Sequence, residues 1–511
     1  MTFHSILSAG VSDSTQTEIS HAPPFFIDLN LDQIIDAITL GKDEYNLKPF
    51  YFTALHDLNT IHYRHEILRD LENALLFEHI ASFAKQMRAV RADLAQGAKL
   101  YHRFQQQSWF LDTLWLYCDT INTLAHQLSS VDLRSSGLLA FRDYLTHHIQ
   151  SARFTSLLAE TKQLESDLST VKYCVLIKGN GFKVRRYEAE IDYSANVEET
   201  FEKFKQGAVN SYAAKFSSFP VVNSVEGKVL DFVALLYPDI FGNLDSYCTK
   251  NRDSLDERIS RFDREIQFYL SYLEYIDQSR QAGLKFCYPH LSGTSKAVHA
   301  SEVFDLALAH KLIREKSSVV CNDFYLEGKE RIIVVSGPNQ GGKTTFARTF
   351  GQLHYLASLG CLVPGREAQL FLCDSLFTHF EKEEDIKNLR GKLEDDLFRI
   401  HQILTKITSQ SIVIMNESFT STTLTDAIFL SKNVLETIIQ LDSLCVCVTF
   451  IDELASLSEK TVSMVSTVIP KNPASRTYKV LRMPADGLSY AISIAEKYGL
   501  TYLSLKERIK S

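Results

Sequence analysis

The chain has 511 residues, room for two to four domains at about 100–200 residues each, and its 45% hydrophobic content can fill a large core. With only 21 Gly and 11 Pro, long disordered or fibrous tracts are excluded. A formal charge of −8 excludes a whole-molecule positive field, so contact with nucleic acid or anionic membrane requires a local basic patch.

The nine cysteines are scattered, with no CxxC pair and no His-rich tract at zinc-ligand spacing. Cys445 and Cys447 lie in the apolar run Leu444–Thr449, where a strand would place both on one buried face. An odd count without a framework fits a reducing compartment, and a cytoplasmic location is expected. Met1–Ser20 lacks the basic and apolar segments of a signal peptide. No run of about 18 apolar residues is present, so no membrane partner is expected.

In chain order, Pro23-Pro24 closes a polar leader and a mostly helical region follows. Ile67, Leu71, Ile80, Phe83, Met87, Val90 and Leu94 recur at helical spacing until Gly97. Trp109, Leu111, Leu114, Trp115 and Cys118 open a second amphipathic stretch, whose tryptophans read as core anchors rather than a base-stacking platform. The period then changes to two. Tyr173–Lys178 and Phe182–Glu188 flank Gly179-Asn180-Gly181, a predicted β-hairpin. Lys178, Lys183, Arg185 and Arg186 place four cations on it. They read either as a solvated face that discourages edge pairing or as a fingertip for phosphates.

Leu255, Ile259, Phe262, Ile266, Tyr269, Leu273 and Ile276 recur in alternating steps of four and three, and Gly283 ends the series. This predicts one helix of roughly 40 Å at 1.5 Å per residue, suited to a bundle or to a rigid arm. Beyond 284 the pattern becomes α/β. Apolar runs at Arg331–Val335, Ser411–Met415 and Leu444–Thr449 alternate with helical segments at Thr345–Leu359 and Asp426–Leu441. That alternation predicts a mainly parallel, covered sheet.

The strongest chemistry lies after the first of these runs. Ile332–Ser336 leads into Gly337-Pro338-Asn339-Gln340-Gly341-Gly342-Lys343-Thr344-Thr345, which opens a helix. This is G-x-x-x-x-G-K-T between a strand and a helix, the phosphate loop of nucleoside triphosphatases. All nine residues are candidate ATP contacts, because glycines let backbone N–H groups close on phosphate oxygens at a positive helix terminus. Lys343 is expected to reach the β- and γ-phosphates and to act in catalysis, and Thr344 to ligate Mg²⁺. The partner strand Ile412–Met415 ends in Asn416 and Glu417. Asn416 is the second candidate Mg²⁺ ligand, an uncharged one. Glu417 is the candidate catalytic residue that orients or deprotonates the attacking water.

The loop resembles the Walker A motif of the MutS family of DNA mismatch-repair ATPases, G-P-N-M-G-G-K-S-T. Asn322-Asp323 upstream, Leu356–Pro364 downstream, Thr422 and Asp426, Thr449–Leu454, Gly487–Ala495 and Gly499-Leu500 are similar to further family signatures in the same order. The resemblance implies an ABC-like P-loop ATPase domain over 284–511, preceded by more loosely matching parts. These are a polar leader (1–24), a helical core (25–170), a clamp-like hairpin with helices (171–254) and a long lever helix (255–283). It also implies ATP and Mg²⁺ as cofactors, DNA as partner and head-to-tail pairing of two copies through the ATPase domains. The hairpin stands where a DNA-touching clamp tip would be, which favours a backbone contact by its four cations.

Three departures narrow the expectation. About 24 residues precede the helical core, leaving no room for a mismatch-reading domain, so binding that is not mismatch-specific is expected. Phe450 replaces the family's histidine after Thr449, and no Ser-rich trans-contact loop is recognisable between Phe377 and Ile400. The reading is thus an ATPase that couples ATP to a DNA clamp, with an ATP-gated scaffold of little or no hydrolysis as the alternative. A small-molecule kinase fits less well, because the long helical arm points to a mechanical role.

Overall fold

The computed structural model describes residues 3–10, 19–179, 181–188, 223–381, 391–469, 472–485, 500–502 and 506. The expected signature segments Gly487–Ala495 and Gly499 lie outside the described residues, as does Asn180 of the hairpin turn. The protein is mixed α/β, with a helical N-terminal region and its sheets toward the C-terminus. Two compact units are formed, one from Met1–Phe3, Glu72–Arg134 and Leu138–Asp263, the other from His4–Leu71, Ser135–Gly137 and Arg264–Ser511. Residues 25–71 fall in the unit that holds the C-terminal sheet.

Among the described residues the first unit is helical except for one hairpin. The run expected to continue from Ile67 to Gly97 is broken into the helix Leu58–Leu71, which belongs to the second unit, and the helix Ala74–Gly97 of the first. Asn73 causes the break, because its side chain accepts from the N–H groups of Leu75 and Leu76 and caps the second helix. The Arg103–Ser130 helix buries Leu111, Leu114 and Cys118 as expected, but Trp115 is 38% exposed and so is no core anchor. Strands β1 (Tyr173–Lys178) and β2 (Gly181–Arg186) pair antiparallel, with Gly179 at φ +59° in the turn. Val184 rests on a small cluster of Val233, Ala234 and Phe241 from the helices Ser224–Leu236 and Pro238–Lys250.

The long helix spans Glu257–Gln281 and ends before Gly283 at φ +87°. Every seam residue inside it, Ile259 through Ile276, is buried, and so are Phe268, Tyr272 and Tyr275 outside the seam. It is therefore a core helix. Its first residues through Asp263 belong to the first unit and the rest to the second. The expected polar leader is also anchored at its start, since Phe3, Ile6 and Leu7 are buried. Ser5 Oγ and the Ile6 N–H both donate to the Glu265 carboxylate at 2.9 Å.

The second unit carries β3 (Phe286–Cys287), β4 (His290–Ser292), β5 (Val298–Val303), β6 (Asn322–Leu326), β7 (Ile332–Ser336), β8 (Val363–Pro364), β9 (Glu367–Phe371), β10 (Leu376–Phe380), β11 (Ile412–Asn416), β12 (Leu444–Val448), β13 (Thr461–Ile469) and β14 (Asn472–Arg482). The main sheet has the order β10-β11-β12-β7-β13-β14, parallel except for β14. Each residue of β7, β11 and β12 is buried, which explains why these strands read as unbroken apolar runs. Cys445 and Cys447 sit in this core as free thiols, as the apolar context predicts. A smaller sheet, β4-β9-β5-β6, packs in the same unit. The segment around Phe25–Asp28 is tied to the Lys343–Ser358 helix by Arg348 Nε donating to Asp28 O at 2.9 Å and Gln352 Nε2 to Leu29 O at 2.8 Å. Among the described residues no helix is long and apolar enough to cross a membrane.

Candidate functional site

The loop between β7 and the Lys343–Ser358 helix has a backbone only its glycines permit. Gly337 has φ +112° and Gly342 φ +94°, both in the region where a side chain is strained. A Cβ on Gly337 would also meet Ser466 O at 2.7 Å. Ser466 lies fully buried on the neighbouring β13, and its hydroxyl donates to Gly341 O at 2.6 Å. The loop is thus seated on an adjacent strand by a residue that no sequence motif marks. Gly342 starts the helix without a side-chain cap, so the first-turn N–H groups are free to receive an anion.

Lys343 points back into this loop. Its Nζ donates to Gly337 O at 2.9 Å, to Pro338 O at 3.2 Å and to Asn339 Oδ1 at 3.2 Å, and lies 3.8 Å from Glu417 Oε1. Burial pushes the ammonium below its usual range; the Glu417 carboxylate works against that shift and Arg476 adds to it. Arg476 itself donates from Nε to Asn339 O at 3.1 Å. Thr344 Oγ1 donates to Asn416 Oδ1 at 2.8 Å. Two sequence-distant motifs therefore meet at the carboxyl ends of β7 and β11, the strands that flank β12.

The four central residues come together: Lys343 with Glu417, and Thr344 with Asn416. The oxygens of Thr344 and Asn416 are of the kind a hard cation takes, with neither contributing charge. Pro338 and Asn339 take part through the atoms that bind Lys343, and Gln340 adopts φ +60° within the loop. Thr345 enters the helix and accepts from Thr349 Oγ1 at 2.9 Å. Downstream, Asp426 belongs to a helix cap, accepting from Thr423 Oγ1 at 2.9 Å, and Phe450 is 50% exposed. Asn322 ties β6 to β14, donating to Tyr478 O at 3.2 Å and accepting from Val480 N at 2.8 Å.

The hairpin cations divide. In the antiparallel register Lys178 faces Gly181, Leu176 faces Lys183 and Cys174 faces Arg185, so Lys178, Lys183 and Arg185 share one face. Arg186 lies on the other face with Val184. Its guanidinium donates to Leu236 O, from Nε at 3.1 Å, and stacks 4.8 Å over the Tyr237 ring. Arg186 is thus bonded within the first unit, on the face opposite the other three. Period-two alternation alone separates it from the other three.

The MutS domain V family matches residues 333–506, the segment that holds the loop, Asn416 and Glu417. Over that segment, about a third of the chain, the sequence is similar to the MutS family. It is 31% identical over 205 residues to the DNA mismatch repair protein MutS of Orientia tsutsugamushi (strain Boryong), covering 39% of this chain and 23% of that protein. The corresponding protein of Thermotoga maritima is 30% identical over 192 residues, 37% of this chain and 24% of that one. That of Clostridium botulinum (strain Okra / Type B1) is 26% identical over 260 residues, 49% and 28% respectively. The MutS-like match thus spans about a quarter of these relatives' length.

Proposed function

We propose that this MutS-like chain binds and hydrolyses ATP with Mg²⁺ at a P-loop, and couples that cycle to a grip on DNA. The observation that carries the reading is the single cluster of Lys343, Thr344, Asn416 and Glu417 at the strand ends inside the domain V match. Phosphates would take backbone N–H groups of the Gly337–Thr345 loop, Pro338 having none, and the Lys343 ammonium. Mg²⁺ would take Thr344 and Asn416, and supplies a charge clamp on the phosphates when bound. Glu417 would orient or deprotonate the water.

DNA enters through the relatives, which are DNA mismatch repair proteins. The grip is on phosphates and not mismatch-specific, and is carried by Lys178, Lys183 and Arg185 on one face of the β1–β2 hairpin. Two copies would pair through the ATPase domains. The neutral Thr344–Asn416 pair favours a second reading, an ATP-gated scaffold that hardly turns over, since a charged carboxylate is missing where a metal would be held.

Phosphate release by the full chain, with and without linear and branched duplexes, tests these readings. Turnover that disappears in E417A supports the enzyme, whereas equal near-zero rates with intact ATP binding support the scaffold. K343A is expected to lose ATP binding with the fold intact by circular dichroism, and retained affinity would refute the phosphate site. Absence of a gel shift at low salt, with and without ATP, would refute the DNA grip.

A further inference from the structure

Glu417 sits on a backbone that needs holding. Glu417 has φ +51° and Phe419 φ +62°, two non-glycine residues in the left-handed region on either side of Ser418. Such a conformation persists only where its surroundings over-determine it. Glu417 N donates to Val448 O at 2.9 Å, and the Phe419 side chain is fully buried. The third constraint is a side-chain chain. Ser418 Oγ lies 2.9 Å from Nδ1 of His379, a β10 residue with no exposure at all.

The other face of that ring meets a carboxylate. His379 Nε2 is 3.3 Å from Oδ1 of Asp396, though without the alignment of a hydrogen bond. Asp396 is itself buried, on the Lys392–Leu404 helix. A carboxylate facing Nε2 favours the tautomer protonated there, which leaves Nδ1 to accept the Ser418 hydroxyl proton. A parallel bridge runs beside it, for Glu381 contacts Lys392 at the start of the same helix and accepts from Thr420 Oγ1 at 3.2 Å. Fully buried, the ring has no access to a ligand and acts only within the protein.

We propose that His379 is a positioning residue for the hydrolysis argued above: oriented by Asp396, it anchors Ser418 and so fixes the Glu417 carboxylate opposite Lys343. The inference rests on the ATPase reading and adds to it a buried histidine that touches neither nucleotide nor metal. It explains why a strained loop with no glycine follows β11. It also makes Glu417 placement answer to the helix that carries Asp396.

The test compares S418A, S418T, H379N and H379Q in the full chain, measuring affinity for a fluorescent ATP analogue and steady-state phosphate release. S418A is expected to keep its affinity within about twofold while kcat falls about tenfold or more, the scale of one lost orienting hydrogen bond. S418T, which restores the hydroxyl, is expected to return most of that rate. An asparagine amide can reach the Nδ1 position, whereas a glutamine amide extends toward Nε2; H379N is therefore expected to retain more turnover than H379Q. Wild-type kcat in both S418A and H379Q would overturn the inference and leave the ATPase reading standing. Loss of affinity in step with kcat in all four variants would likewise overturn it, as a merely structural role. A wild-type chain that binds the analogue but releases no phosphate would overturn the ATPase reading together with this one.

Discussion

The neutral residue at the end of β11 offers a direct test of the metal site. In N416D the side chain keeps its shape and its acceptor for Thr344 Oγ1, so the 2.8 Å bond is retained while one negative charge is added. Asn416 is only 9% exposed, so that charge is largely withdrawn from water. Burying it without a metal costs at least as much as an unpaired neutral polar group, about 2 kcal/mol, which serves as a lower bound. For a unit of about 320 residues this corresponds to a melting temperature lower by roughly 3 °C. Mg²⁺ at about a hundred times its dissociation constant would return about 2.7 kcal/mol and offset that lower bound. Melting curves of both proteins over a Mg²⁺ titration with ATP provide the assay. N416D is expected to melt lower without Mg²⁺, to gain more from it than the wild type, and to need less Mg²⁺ for half-maximal phosphate release. A parallel Mg²⁺ response in the two proteins would refute Asn416 as a metal-side residue.

Other predictions concern the rest of the molecule. K178E/K183E is expected to weaken DNA binding and to flatten its salt dependence by about two units of slope, about 0.9 per phosphate contact; unchanged titrations at two salt concentrations would return these lysines to a solvated face. R186E is expected instead to lower the melting temperature, because its bonds to Leu236 O hold the hairpin to its helices. Burial pushes the His65 and His354 rings down to about 4, so the unfolded chain binds more protons below about pH 6.5. Stability from both rings is present above that pH and is lost as pH falls toward 4, by ~3 kcal/mol per ring, and H354L is expected to flatten acid denaturation monitored by circular dichroism. Asp112 behaves oppositely: burial, then Glu165 and Asp93, push its carboxyl up to about 6. Its stability contribution is lost as pH rises from about 4 through 6, so D112N is expected to raise the melting temperature at pH 7.5 and to leave it unchanged near pH 3.

What the sequence discloses here depends on how local the determinant is. β7, β11 and β12 are legible because a strand covered on both faces must be apolar at every position, and each is buried throughout. The phosphate loop is legible because its chemistry is contiguous: glycines for positive φ, a lysine and a hydroxyl at fixed spacing. The break at Asn73 escapes the helical period because a cap is a hydrogen-bond event, invisible to a count of apolar positions. Arg186 escapes a count of charges because a hairpin's register, not its composition, decides which cation reaches Leu236 O and the Tyr237 ring. Ser466, His379 and Asp396 escape altogether, since they reach the loop and Glu417 from strands and a helix far along the chain. The residues a motif records are those that meet the ligand, whereas the residues that hold them in strained conformations are specified by tertiary packing. That difference is why Glu417 can be read from β11 and its φ of +51° cannot. A variant that keeps every motif residue and removes only the Ser418 hydroxyl therefore separates the chemistry of the site from the fold that aims it.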